Sequence, residues 1–143
     1  MKTPNQFILL FAVLMMIACK ENVQTEVVEL KQSSFDVFAV HELEVKSDTD
    51  LVEFEAFMSN TIAPVYNNMK GQYFTLLKGD RGIRANKYAI LLTFDSIEDR
   101  DRIYPPSGGF VGDFGPDEIW EQLNAKLENE IGENFTDYIK VGE

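Results

Sequence analysis

From Phe35 onward the apolar positions recur first at the period of a strand and then at that of a helix, in repeated turns. In the run Phe35 to Lys46, Val37, Ala39, His41, Leu43 and Val45 share one face, and Asp36, Phe38, Val40, Glu42, Glu44 and Lys46 share the other. Period two predicts a strand. Ser47-Asp48-Thr49-Asp50 offers capping oxygens and first-turn carboxylates for a helix. Leu51, Phe54, Met58, Ile62, Val65 and Met69 then form its apolar face. Pro64 should kink this helix or end its regular part, and Gly71 should stop it. Gln72 to Lys78 and Lys87 to Asp95 read as strands paired in an antiparallel hairpin, with a turn at Gly79-Asp80-Arg81-Gly82. Ile90-Leu91-Leu92 is apolar on both faces, which predicts a central strand. Ser96 caps a short helix ending at Tyr104, ahead of Pro105-Pro106. A glycine-rich loop over 105–116 leads to a last helix at Pro116. Ile119, Trp120, Leu123, Leu127 and Ile131 make that helix's apolar face, and Gly132 should close it. Thr136 to Val141 is the last strand.

The order β-α-β-β-α-β predicts an α+β, ferredoxin-like fold: a four-stranded antiparallel sheet with helices on one face. The uncovered face should carry Phe38 with Val40, and either Phe74 with Leu76 or Tyr73 with Leu77. A symmetric homodimer packing sheet on sheet would cover it.

The N-terminal end has a different pattern. Phe7 to Ala18 is an unbroken apolar run of 12 residues after a lone Lys2. That is too short to span a membrane, which takes roughly 20 residues, and it suits the apolar region of a signal peptide. Met16-Ile17-Ala18-Cys19 resembles a bacterial lipoprotein signal, in which the cysteine is lipidated and becomes the new N-terminus. The resemblance implies a signal peptide over 1–18, lipidation at Cys19, and a mature protein anchored at the cell envelope. The anchor would be the outer membrane, with the domain periplasmic or surface-exposed. Lys20-Glu21-Asn22 loosely resembles a surface-export signal of some Bacteroidetes lipoproteins. Residues 19–34 lack aromatics and read as the lipidated Cys with a flexible tether, within which Val27 to Leu30 suits a short edge strand or a helical turn. The domain occupies 35–143.

Composition narrows the chemistry. The 143 residues hold 24 acidic against 13 basic side chains, a net charge of −11. Nucleic-acid binding needs a basic footprint that this chain lacks, and the same acidity opposes docking on anionic lipid. The single Cys excludes an internal disulfide and Cys-rich zinc sites, and the single His excludes His-His metal motifs. With Cys19 outside the domain, no Cys-His nucleophile set is available.

Val37-Phe38-Ala39-Val40-His41-Glu42-Leu43-Glu44-Val45, and Leu92-Thr93-Phe94-Asp95-Ser96 leading into a helix, resemble the dimeric α+β barrel superfamily. Its members include small antibiotic-biosynthesis monooxygenases, stress-responsive barrel proteins and NIPSNAP-like proteins. The resemblance covers Phe35 to Val141 and rests on element order, not on a catalytic motif. It implies a ligand site in the cleft between sheet and helices. It leaves the activity open, because such members include oxygenases, haem-handling proteins and proteins of no known activity.

His41 is the only imidazole. On the helix-facing side of its strand it would act as a proton shuttle or an axial haem ligand; otherwise it is a hydrogen-bonded core histidine. No other cofactor is implied. Lys78 to Lys87 concentrates basic residues, with Arg100 and Arg102 as extensions. Lys78 and Arg81 there suit a carboxylate or phosphate, or else form a solvated hairpin tip. Asp99-Arg100-Asp101-Arg102 alternates in sign and reads as a solvated face. Phe110 and Phe114 belong either to a lid over the cleft or to a connection anchored in the core. Tyr66, Tyr73, Tyr88, Tyr104 and Trp120 suit the walls of a pocket for a flat apolar ligand, or the core. Three functions follow: a binding module for a small organic ligand, a barrel-type oxygenase or haem-handling enzyme using His41, and an interaction module using the open sheet face.

Overall fold

A computed structural model describes residues 35–141. The proposed signal peptide, Cys19 and the tether, including Val27 to Leu30, lie outside the described residues. The elements are β1 (Val37–Leu43), α1 (Leu51–Phe57), a π-helical stretch (Met58–Ile62), α2 (Ala63–Asn67), β2 (Gln72–Lys78), β3 (Tyr88–Phe94), α3 (Ile97–Ile103), α4 (Asp117–Asn124) and β4 (Phe135–Ile139). The four strands form one antiparallel sheet in the order β2-β3-β1-β4. That is the ferredoxin-like arrangement expected from the pattern, with the Ile90-Leu91-Leu92 strand central.

Register assigns every strand residue to a face. Ala39 pairs with Leu92 and with Asp137, and His41 with Ile90 and Phe135. The helix-facing side therefore carries Val37, Ala39, His41 and Leu43 beside Phe94, Leu92, Ile90 and Tyr88. Phe54, Met58, Ile62, Tyr66, Ile103, Leu123 and Leu127 close the core above them. The opposite face carries Phe38, Val40, Leu91, Tyr73 and Leu77, which places Tyr73 and Leu77, not Phe74 and Leu76, on the open side. Phe35 reaches over that face, its ring 5.2 Å from Tyr73 and 6.5 Å from Phe38.

Local chemistry explains the boundaries. Asp50 caps α1, its Oδ1 accepting from the backbone N–H of Val52 at 2.8 Å and of Glu53 at 3.1 Å. Pro64 has no N–H to give the preceding turn, and the helix enters it through the π stretch, in which the Ala63 N–H donates to Met58 O. Gly71 follows α2 with φ +80°, and a Cβ there would lie 2.6 Å from Asp99 Cγ, so only glycine suits this turn. Ser96 caps α3 by accepting from Asp99 N–H at 3.0 Å.

The last helix is shorter than its apolar spacing predicts. It ends at Asn124, eight residues before Gly132. Residues 126–129 instead extend the sheet edge. Lys46 N–H donates to Lys126 O at 3.0 Å, Glu128 N–H to Glu44 O at 2.7 Å, and Asn129 Oδ1 accepts from Glu44 N–H at 2.8 Å. The backbone beyond β1 needs partners, and it draws this segment out of the helix. Leu127 stays buried, now as a bridge partner of Val45.

Candidate functional site

A cavity of about 530 Å³ lies between the helix-facing side of the sheet and the segment from α3 into the glycine-rich loop. Ala39 and His41 of β1, Leu92 and Phe94 of β3, and Phe135 and Asp137 of β4 line it from the sheet. Tyr66 of α2, Tyr104, Phe114 and Ile131 line it opposite, and Arg100, Asp101, Pro105, Pro106, Gly109 and Gly132 complete it. Alternation along the strands puts these sheet residues on one side. The small Ala39 leaves room between larger neighbours.

His41 stacks on Phe135, with ring centroids 5.3 Å apart and planes 15° from parallel. Its Nδ1 is buried and has no hydrogen-bond partner among the described residues. Burial lowers its pKa below the ordinary 6.5, partly offset by the Asp137 carboxylate. The imidazole is therefore neutral at neutral pH. Tyr104 Oη is likewise buried without a partner. Burial pushes the Tyr104 phenol up, and Tyr66 and Asp137 add to that; burial alone raises Tyr66. Both phenols stay protonated and able to donate.

Arg100 and its partners form the polar side. Its Nε donates to Asp101 Oδ1 at 2.6 Å, and its Nη1 to Asp137 Oδ2 at 2.8 Å, which joins α3 to β4. Burial works against the guanidinium charge, and the two carboxylates outweigh it and raise its pKa. The expectation of a purely solvated face over 99–102 is corrected here: Asp99 and Arg102 pair at the surface at 2.8 Å, while Arg100 and Asp101 line the cavity. Arg100 stands three residues from both Ile97 and Ile103, so helical spacing turns it inward with Ile103.

The glycine-rich loop supplies a wall. Val111 N–H donates to Ile103 O at 2.9 Å, and Phe110 stacks on Phe114 at 3.6 Å. Trp120 Nε1 donates to Phe114 O at 2.7 Å, and its ring lies 5.3 Å from the Phe114 ring. Phe110 and Trp120 thus stand behind Phe114 rather than among the lining residues.

Four of the candidates read from the sequence meet in the cavity, His41, Tyr66, Tyr104 and Phe114, and Arg100, read as an extension of the basic run, joins them. Lys78 and Tyr88 meet elsewhere. Both donate to Glu55 Oε1, from Nζ at 2.9 Å and from Oη at 2.5 Å, and the ammonium sits 5.2 Å over the Tyr88 ring. Arg81 pairs with its neighbour Asp80 at 3.2 Å, both almost fully exposed on the hairpin tip. Arg84 of the same loop pairs with Glu42 and Glu44 instead. The basic run is thus divided among local carboxylates. Asp137, Phe135 and Phe94 had no individual sequence signal; they become site residues through strand register. Among the described residues, no group of three or more His, Cys, Asp or Glu side chains is arranged to hold a metal ion.

No protein-family profile matches the chain, and no curated protein matches it. Solved structures do. A candidate antibiotic biosynthesis monooxygenase from Bordetella bronchiseptica is 13% identical, with 76% of this chain and 99% of that one covered at a TM-score of 0.50. This chain shares its ferredoxin-like fold. A conserved protein from Methanosarcina mazei Go1 is 16% identical over 77% of this chain and 97% of that one, with a TM-score of 0.49. A second candidate monooxygenase of that kind, from Chloroflexus aurantiacus J-10-fl, is 9% identical over 75% and 94%, with a TM-score of 0.45. The first likeness bears out the expected fold; at this identity it speaks of fold alone.

Proposed function

We propose that the domain binds a small, largely aromatic organic molecule in this cavity, on a protein held at the cell envelope by a lipid on Cys19. The observation that carries the reading is the cavity itself: aromatic walls around a few convergent polar groups, with His41 Nδ1 and Tyr104 Oη buried and without a hydrogen-bond partner among the described residues. Buried polar atoms without partners cost stability, and they persist where another role retains them. A homodimer through the open sheet face completes the proposal, since Phe38, Val40, Tyr73 and Leu77 form an apolar surface that a second copy would cover.

The second reading is an oxygenase. The neutral His41 imidazole supports it, because a base at a cavity can take a proton from a bound substrate. The residues do not fit haem: among the described lining residues the single arginine is already engaged by Asp101 and Asp137, leaving no unengaged cation for the propionates.

A native mass spectrum of the chain from Lys20 onward tests the main reading. A dimer carrying extra mass, lost on filling the cavity with Ala39→Leu, is the expected result. A folded chain that retains no mass and binds nothing from a panel of aromatic compounds would overturn it. His41→Ala separates the two readings: a binder keeps most of its affinity, whereas an enzyme loses turnover.

A further inference from the structure

The charge lining the cavity is unbalanced. Among the described residues that line it, Arg100 is the only cation, and Asp101 and Asp137 both line it too. With His41 neutral, one net negative charge remains. Arg100 does not offer an open clamp: Nε serves Asp101 at 2.6 Å and Nη1 serves Asp137 at 2.8 Å. A bound carboxylate would add a third negative charge around one guanidinium, or displace a partner from it. Each aspartate keeps a second oxygen that accepts no hydrogen bond from a described residue. These oxygens suit an N–H donor. Tyr66, Phe114 and Phe135 line the same cavity, and aromatic rings attract a cation held over a face.

We propose that the cavity selects an aromatic amine in its protonated form over an aromatic acid, with Asp101 and Asp137 as the specificity-determining groups and Arg100 as the brace that holds them. The inference rests on the ligand-binding reading above and adds the ligand's charge class. The chain's overall acidity, −11, acts in the same direction at longer range.

The test uses three probes with one ring system: 2-naphthylmethylamine, 2-naphthalenemethanol and 2-naphthoic acid. Each is titrated calorimetrically into the full chain in detergent, at low salt and pH 7.5, with detergent-only titrations subtracted. The amine should bind roughly fivefold more tightly than the alcohol, the size of one partly screened charge contact, and the acid more weakly than both. Asp137→Asn and Asp101→Asn should each narrow the amine-to-alcohol ratio, with thermal melting showing that both variants fold. An acid that binds as well as the amine overturns the inference. So does an amine no tighter than the alcohol, or a preference that survives both substitutions; in each of these cases the cavity still binds. If none of the three binds the folded chain, the ligand-binding reading falls and takes this inference with it.

Discussion

Arg100 on α3 donates to Asp137 on β4 across 2.8 Å, a contact 37 residues apart in the chain. β4 is an edge strand, and all five of its residues are exposed. Little apolar packing holds it from the helix side, so this ion pair is a main tie between α3 and the strand. Arg100→Met should loosen β4 more than the rest of the sheet. Amide hydrogen exchange checks it: protection should fall in 135–139 while 88–94 stays protected. Equal loss across both strands would contradict the tie.

The pH dependence of stability follows from His41. Its folded pKa is lowered from 6.5, so the unfolded chain binds the proton first as pH falls. Stability should be flat above that value, decline as pH drops through it, and level off below the folded pKa. Glu44, Glu55 and Asp99 are also lowered, by hydrogen bonds from Lys87, Lys78 and Arg102 respectively, from 4.5, 4.5 and 3.8. Their loss therefore comes at lower pH. His41→Gln should flatten the melting-temperature profile between about pH 5 and 7; an unchanged profile would remove His41 from the account.

The open sheet face predicts assembly. Phe38→Asp with Val40→Asp places two charges opposite Thr93 and Leu91 on that face, away from the core. The wild type should run as a dimer in analytical ultracentrifugation and the double variant as a folded monomer. A wild-type monomer would exclude pairing through the sheet.

Asp50→Ala removes both acceptor contacts at the start of α1. A loss of about 1 kcal/mol is expected, with Asn recovering most of it. Urea titration reads both; equal losses for Ala and Asn would show that the cap contributes little.

Trp120 is the only tryptophan. Its ring lies 5.3 Å from Phe114, which lines the cavity, so it stands one side chain behind the site. Occupation of the cavity should shift its emission, and Phe114→Ala should weaken that shift. Binding seen by calorimetry with no change in emission would place the ligand elsewhere.

The alternation from Phe35 to Lys46, the double-sided run at Ile90, and the caps at Asp50 and Ser96 were legible in the sequence because each depends on neighbours within a few residues. They determined the element order, and the order left few sheet topologies. The alternation also put His41 on one face with Val37, Ala39 and Leu43, since one strand's period suffices for that; packing made it the helix-facing side. Other features needed the third dimension. The last helix stops at Asn124 because the backbone beyond β1, some eighty residues earlier, needs hydrogen-bond partners. No local pattern carries that demand. Arg100, Asp101 and Asp137 share a site because Arg100 of α3 reaches Asp137 on β4, the strand that pairs with β1. The basic run 78–87 suited either a ligand clamp or a solvated hairpin tip, and the pattern could not decide, because the acidic partners of Lys78, Arg84 and Lys87, which are Glu42, Glu44 and Glu55, are distant in sequence and adjacent only after folding. Local periodicity selects the elements, whereas the partners of long-range hydrogen bonds and charges are chosen by how those elements pack.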